Sequence, residues 1–103
     1  MFCIMLKEIT PEELINKSPQ KIQLIDIREP YELKDGSISG NINIPMGDIL
    51  NKIDELSKTK TIIIYCNTGR RSRPVVYMLK KIHNISAYNL EGGYKNFLKV
   101  ITK

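Results

Sequence analysis

Length, composition and charge indicate one small globular domain and exclude several other classes of protein. The chain has 103 residues, of which 42% are hydrophobic and 26% charged, values typical of a folded protein and not of a disordered one. Its apolar runs are too short for a transmembrane helix, and its two cysteines are too few for a disulfide framework or a zinc cage. We therefore expect one domain over residues 1–103 and no interaction with a membrane.

The net charge of +5 is unevenly distributed along the chain. The lysines are spread from Lys7 to Lys103, which predicts an ordinary solvated surface and no binding of nucleic acid. Three arginines, by contrast, follow a cysteine closely, and no acidic residue occurs between positions 66 and 74. This cluster favours a small anionic ligand over a polyanion.

The first part of the chain predicts short strands and helices. Thr10, Pro11 and Glu13 form the signature of a capped helix start. Periodicity and turn residues then predict a strand over Ile22–Ile27, a short helix over Glu29–Lys34, a brief strand over Gly40–Pro45, and a helix between Gly47 and Ser57 with Ile49, Leu50, Ile53 and Leu56 on its buried stripe.

The second part contains the strongest strand signal, Thr61–Tyr65, which is continuously apolar and β-branched, as in a strand covered on both faces. The elements predicted after it are a loop over Cys66–Arg71, a helix from Ser72 to about Asn84 with Val75, Val76, Leu79 and Ile82 facing inward, a strand over Ala87–Leu90, a turn at Gly92 and Gly93, and a helix over Tyr94–Val100. This alternation predicts an α/β fold with a mainly parallel sheet. Since ligands bind at the carboxyl ends of parallel strands, Asp26 and Arg28 are expected on the same side as Cys66.

Cys66 stands where the predicted buried strand ends and a loop leads into a helix. A helix start exposes unpaired N–H donors and a partial positive charge, and a loop that wraps back toward it turns further N–H groups to one point as an anion nest. Gly69 supplies the backbone freedom for such a wrap. Because cations and a helix N-terminus lower the pKa of a cysteine, we expect Cys66 to be substantially a thiolate at neutral pH.

The alternative is that Cys66 is only a buried core residue, as free cysteines commonly are. The arginines argue against it, because Arg70, Arg71 and Arg73 each oppose the helix dipole by roughly 0.3–1 kcal/mol. Local rules broken together usually mark a functional site. Cys3 has no basic or glycine-rich surroundings and is interpreted as an incidental apolar residue.

Four segments in order resemble the single-domain rhodaneses, a family of thiosulfate sulfurtransferase-like proteins. They are Leu24–Glu32, Gly36–Pro45, the active-site strand and loop Ile63–Ser72, and the closing segment Leu90–Tyr94. The resemblance implies a rhodanese-like three-layer sandwich, with a mainly parallel central sheet flanked by helices.

The chain departs from the second signature of this family at three positions. Ser37, Ser39 and Asn41 stand where His, Pro and Ala are usual, and we expect these changes to affect local packing more than catalysis. The sole histidine, His83, corresponds to nothing catalytic in the family and is interpreted as a solvated residue late in a helix.

The resemblance also implies transfer of sulfane sulfur through a persulfide on Cys66. The donor would be a small anion such as thiosulfate, and the acceptor cyanide, a thiol or a protein thiol, with no metal or organic cofactor. The residues implied to bind the substrate are Asn67, Thr68, Gly69, Arg70, Arg71 and Ser72. In this scheme the loop N–H groups hold the transferred sulfur, and Arg70 or Arg71 binds the sulfonate.

Asp26 and Arg28 allow two interpretations. They could lie at the edge of the site and act in function, or they could be structural, with Arg28 paired to a carboxylate and Asp26 accepting backbone N–H bonds that brace the loop. The structural interpretation is the one we favour.

Three other functions are alternatives to a free sulfurtransferase. A phosphatase of this fold needs Cys, five residues and then Arg, whereas the sixth residue after Cys66 is Ser72. A sulfur-relay or persulfide-carrier module acting on a partner protein would use the same chemistry at Cys66. An inert binding domain normally loses the nucleophile.

The use of cysteine and the start of the chain favour the cytoplasm. The two cysteines are too few for a disulfide framework, and the apolar start is too short for a secretory signal.

Overall fold

Residues 6–102 are described by the structure, which is a computed structural model. They form a five-stranded parallel sheet whose strands are β1 (Glu8–Ile9), β2 (Ile22–Asp26), β3 (Ile42–Asn43), β4 (Thr61–Tyr65) and β5 (Ala87–Leu90). The order across the sheet is β1-β5-β4-β2-β3, so the two strands that lead toward the predicted site, β2 and β4, are neighbours. The α/β class and the parallel sheet are thereby confirmed.

Helices cover both faces of the sheet and make three layers. The α-helices are α1 (Pro11–Ile15), α2 (Ser72–His83) and α3 (Gly93–Ile101), and short 3-10 turns occupy Pro19–Lys21, Pro30–Asp35, Ile49–Asn51 and Ile53–Glu55. One core cluster joins β4 and β2 to α2 and the turns near Ile49. The other joins the opposite face of the sheet to α1 and α3.

Strand β4 shows why the sheet needs both layers. Ile62 and Ile64 point into the α2 cluster, while Ile63 and Tyr65 point into the α1–α3 cluster. All four side chains are buried, because alternate residues of a strand face opposite sides. The prediction that this strand is covered on both faces is confirmed.

The helix predicted between Gly47 and Ser57 is wrong, because the segment forms two separate 3-10 turns. Lys52 breaks them apart with φ of −122° and ψ of 34°. Asp48, Asn51 and Asp54 favour local turns over a continuous helix. The segment over Glu29–Lys34 is likewise helical but of the 3-10 type.

The buried stripe of α2 ends earlier than predicted. Val75, Val76 and Leu79 are buried, but Ile82 is 53% exposed. Asn84 ends the helix in a left-handed conformation, as its position predicted, and Ile85 rather than Ile82 then packs against the core.

The start of the described chain contains a confirmed cap and a strand that was not predicted. Thr10 and Glu13 exchange the two capping-box hydrogen bonds, at 3.0 and 3.1 Å. Just before them, β1 pairs with β5 at the edge of the sheet, although its two residues are too few to give a strand pattern.

The interpretation of Cys3 falls outside residues 6–102. Within that range no helix is both long and apolar enough to cross a membrane.

Candidate active site

The predicted site residues meet at the carboxyl edge of the sheet. Asp26 ends β2 opposite Tyr65, which ends β4, and the Ile27 amide donates to the Tyr65 carbonyl at 2.9 Å. This pairing brings Arg28 and Cys66 to the same side of the molecule. The strand order therefore brings together Arg28 and Cys66, which are almost 40 positions apart in the sequence.

The loop after β4 wraps around the sulfur atom of Cys66. Gly69 has φ of +96°, a conformation that side-chain-bearing residues rarely adopt, and its amide donates to Cys66 Sγ at 3.1 Å. The Gly69 carbonyl then accepts from the Arg73 amide at 3.1 Å at the start of α2. Gly69 thus performs the tight turn predicted for it.

Two opposed effects act on the pKa of Cys66. Burial is the larger single effect and raises the pKa, since the residue is 0% exposed. Together, the Ser72 hydroxyl and the backbone N–H groups of Ser72, Arg71 and Thr68 outweigh burial, so the pKa of the Cys66 thiol is lowered from its usual value. These donors favour the thiolate because they hydrogen-bond to the charged form.

Ser72 links Cys66 to a buried polar chain that ends at the first strand. Its Oγ lies 3.4 Å from Cys66 Sγ and is within hydrogen-bond reach of Asn89 Oδ1. Asn89 Nδ2 in turn donates to Glu8 Oε2 at 2.7 Å. Because a hydroxyl has one proton, Cys66 and Asn89 compete for it.

The N-terminus of α3 holds the beginning of the loop from the other side. The Tyr94 and Lys95 amides donate to the carbonyls of Cys66 and Asn67 at 2.9 and 3.0 Å. A Cβ atom on Gly93 would lie 2.6 Å from both of these carbonyl oxygens, so a side chain there would force the helix away. Gly93 is therefore required for a close approach in addition to a turn.

The arginines of the loop have unequal partners. Arg71 forms a two-point ion pair with Glu32, at 2.8 and 2.9 Å, which lowers the pKa of Glu32 to about 2. Arg73 makes a looser pair with Glu8 at 3.4 Å. Arg70 is exposed and has no carboxylate partner within residues 6–102.

Asp26 and Arg28 pair with each other beneath the loop. Arg28 Nη2 donates to Asp26 Oδ2 at 2.8 Å, and the Arg28 amide donates to Asp26 Oδ1 at 2.9 Å. Arg28 Nη2 also donates to the Gly36 carbonyl at 2.9 Å, and the guanidinium lies 4.6 Å from the Tyr94 ring. These contacts match the arrangement expected of a structural pair, although the carboxylate partner is Asp26 itself.

Sequence reasoning missed Glu32, Asn89 and Glu8 as parts of the site. An asparagine inside a short strand was a usable signal, because strands are depleted in this residue. Glu32 and Glu8 had no such signal, since their partners come from distant parts of the chain. Among residues 6–102, no group of three or more His, Cys, Asp or Glu side chains is arranged to hold a metal.

The departures at Ser37, Ser39 and Asn41 lie in the turn before β3. Asn41 Nδ2 donates to Ser37 Oγ at 2.9 Å and to the Ile38 carbonyl at 2.7 Å. These bonds close the turn locally.

A family model described as the rhodanese-like domain matches residues 10–99. The chain belongs to this rhodanese-like family. The resemblance predicted from four sequence segments is thereby confirmed, together with its three-layer fold.

Relatives agree with this assignment. The chain is 36% identical over 90 residues to a putative sulfurtransferase, YtwF, of Bacillus subtilis, covering 85% of this chain and 86% of that protein. It is 32% identical over 94 residues to a putative sulfur carrier protein, YrkF, of the same organism, covering 89% of this chain and 51% of that protein.

A solved structure supports the same fold. It is a rhodanese-related protein from Thermoplasma volcanium, with a TM-score of 0.83 and 29% identity, covering 91% of this chain and 92% of that one. The chain therefore belongs to a rhodanese-like family in which relatives are named as sulfurtransferases and sulfur carriers.

Proposed function

We propose that the protein transfers sulfane sulfur from thiosulfate, or from another persulfide-type donor, to a thiophilic acceptor through a persulfide on Cys66. The observation that carries this proposal is the set of donors around one sulfur atom, with the Gly69 amide at 3.1 Å from Cys66 Sγ. Such donors favour a thiolate, which is the nucleophilic form of cysteine.

The reaction has two steps. The Cys66 thiolate attacks the outer sulfur of thiosulfate, a new S–S bond forms to Cys66, and the old S–S bond breaks with its electron pair leaving on sulfite. The charge of the resulting persulfide lies on its terminal sulfur, which the N–H groups of the loop from Asn67 to Ser72 would hold. Cyanide or a thiol then takes that sulfur and restores the thiolate, so the scheme is ping-pong covalent catalysis.

Mass spectrometry after exposure to thiosulfate tests this function. We expect a gain of one sulfur atom that localises to the Cys66 peptide and is removed by cyanide. Cys66→Ser, which keeps the shape of the side chain, should gain none, and Cys3→Ser should behave as the unchanged protein does. A stable mass with all donors, or a gain at Cys3 alone, would refute the proposal.

A sulfur-carrier role on a partner protein is the second candidate, and the enclosure of Cys66 favours it. The residue is 0% exposed, so its loop would shield a persulfide from competing nucleophiles. The relative named as a putative sulfur carrier supports the same role. Slow thiosulfate:cyanide turnover with a long-lived Cys66 persulfide would favour the carrier, and fast turnover the free enzyme. Either role requires a reduced thiol, which supports the proposed cytoplasmic location.

A further inference from the structure

Glu32 is paired with Arg71, one of the two arginines expected to bind the sulfonate of the donor. Both oxygens of its carboxylate accept from the guanidinium of Arg71, at 2.8 and 2.9 Å. A bidentate pair of this kind engages two of the five N–H donors of the guanidinium and compensates its charge. An anionic substrate that approaches Arg71 therefore meets a carboxylate that is already in place.

The pair lies beside an open cleft that Glu32 lines, which we call the mouth of the site, and a ligand can meet it there. Arg71 follows Gly69 in the loop around Cys66, and the charge of Cys66 is one of the smaller contributions that raise the pKa of Arg71, after its hydrogen bonds to Glu32. Glu32 lines an open cleft of about 470 Å³ together with Asn67, the residue next to Cys66. The Glu32 side chain is 21% exposed and that of Arg71 is 35% exposed.

Glu32 is also fixed in position by the backbone on which it stands. Its Oε2 accepts from the Glu29 amide at 2.8 Å, and its carbonyl accepts from Arg28 Nη1 at 3.4 Å. These contacts hold the Glu32 carboxylate in one position at the mouth of the site.

From this geometry we infer that Glu32 determines specificity for the sulfur donor, favouring hydropersulfides over thiosulfate. The inference rests on the proposed function. Thiosulfate has a sulfonate behind its outer sulfur, and beside Glu32 that group meets a negative carboxylate and a compensated Arg71. Arg70 is then the loop cation that has no carboxylate partner within residues 6–102. A hydropersulfide, R–S–SH, has no sulfonate at that position and does not need Arg71.

The hydropersulfide reaction balances without any further reactant. The Cys66 thiolate attacks the outer sulfur, the S–S bond of the donor breaks, and a new S–S bond forms to Cys66. The proton of the donor goes to the departing sulfur, so the products are the Cys66 persulfide anion and R–SH. The organic group R would lie toward the cleft beside Glu32.

Single-turnover persulfidation of Cys66 tests the role of Glu32, with sodium thiosulfate and cysteine hydropersulfide as the two donors. Glu32→Gln keeps the shape and one acceptor oxygen but removes the charge. We expect it to accelerate the thiosulfate reaction about fivefold, as removal of a partly exposed charge should, and to change the hydropersulfide reaction less than about twofold. Glu55→Gln is the charge-matched control, because the Glu55 carbonyl contacts Gln23 near the opposite edge of the sheet.

Arg71→Lys tests the same pair from the other side, should Glu32→Gln fold poorly. Lysine cannot form the two-point pair, so thiosulfate should displace Glu32 more easily and gain rate relative to hydropersulfide. If both variants slow the reactions with the two donors equally, the Arg71–Glu32 pair is only structural and the inference is overturned. If the unchanged protein accepts sulfur from neither donor, the proposed function itself fails; if it accepts both and Glu32→Gln leaves their ratio unchanged, only the role of Glu32 fails.

Discussion

Two arginine–carboxylate pairs lie at the same edge of the sheet and differ in exposure. Arg28–Asp26 and Arg71–Glu32 both have a shortest N–O distance of 2.8 Å, but the side chains are 4% and 0% exposed in the first pair and 35% and 21% in the second. Distance alone would give them the same role. Burial separates them, because a ligand can exchange with a partly exposed pair but not with one enclosed in the core.

The two pairs are also connected in order. Arg28 donates to the carbonyls of Gly36 and Glu32, so the buried pair holds the backbone that presents Glu32 to Arg71. The comparison therefore predicts that the inner pair governs folding and the outer pair governs the substrate. The same substitution at both arginines can separate these two roles.

The largest effect is expected for Arg28→Met, which leaves Asp26 as a buried charge without its partner. Breaking a buried pair in this way typically costs about 3–5 kcal/mol. The free energy of unfolding should fall by about that amount, measured by urea titration followed by circular dichroism. Arg71→Met is the matched control and should lose less than about 1 kcal/mol. Equal losses would contradict the division between the pairs.

A smaller effect, on rate and not on stability, is expected for Arg71→Met. The substitution leaves the charge of Glu32 uncompensated at the mouth of the site, so persulfidation of Cys66 by thiosulfate should slow about five- to tenfold. The rate with cysteine hydropersulfide should change less. Adding Glu32→Gln to Arg71→Met should recover most of the lost rate, and a double variant as slow as the single one would argue against charge as the cause.

The smallest effect is the pH dependence of the outer pair. The hydrogen bonds from Arg71 lower the pKa of Glu32 to about 2, below its value of about 4.3 in an unfolded chain. A lowered pKa contributes stability above the unfolded value, which is lost as the pH falls toward the folded value. The free energy difference between the unchanged protein and Glu32→Gln should be at most about 1 kcal/mol at pH 7 and shrink between about pH 5 and pH 2. A difference that is constant over this range would refute the assignment.

The sequence predicted the active-site loop well because the relevant signals are local. The apolar strand before Cys66, the glycine at position 69 and the helix start at Ser72 are all encoded within a few residues, and each is found where expected. The same locality explains the capped start of α1 at Thr10.

The parts that sequence reasoning missed depend on contacts between distant segments. The partners of Arg71 and Asn89 are 39 and 81 positions away, and no periodicity in one segment indicates a partner in another. The prediction of a helix between Gly47 and Ser57 fails for a different reason. The apolar spacing of this segment fits a helix, but Asp and Asn side chains favour the two turns observed.

The reactivity of Cys66 toward iodoacetamide as a function of pH tests the central claim most directly, with the label located by peptide mass spectrometry so that Cys3 does not contribute. If the loop amides and Ser72 hold the thiolate, the alkylation rate should rise with an inflection clearly below about 8.5, the pKa of an ordinary thiol. An inflection at or above that value would show that burial dominates and would contradict the account.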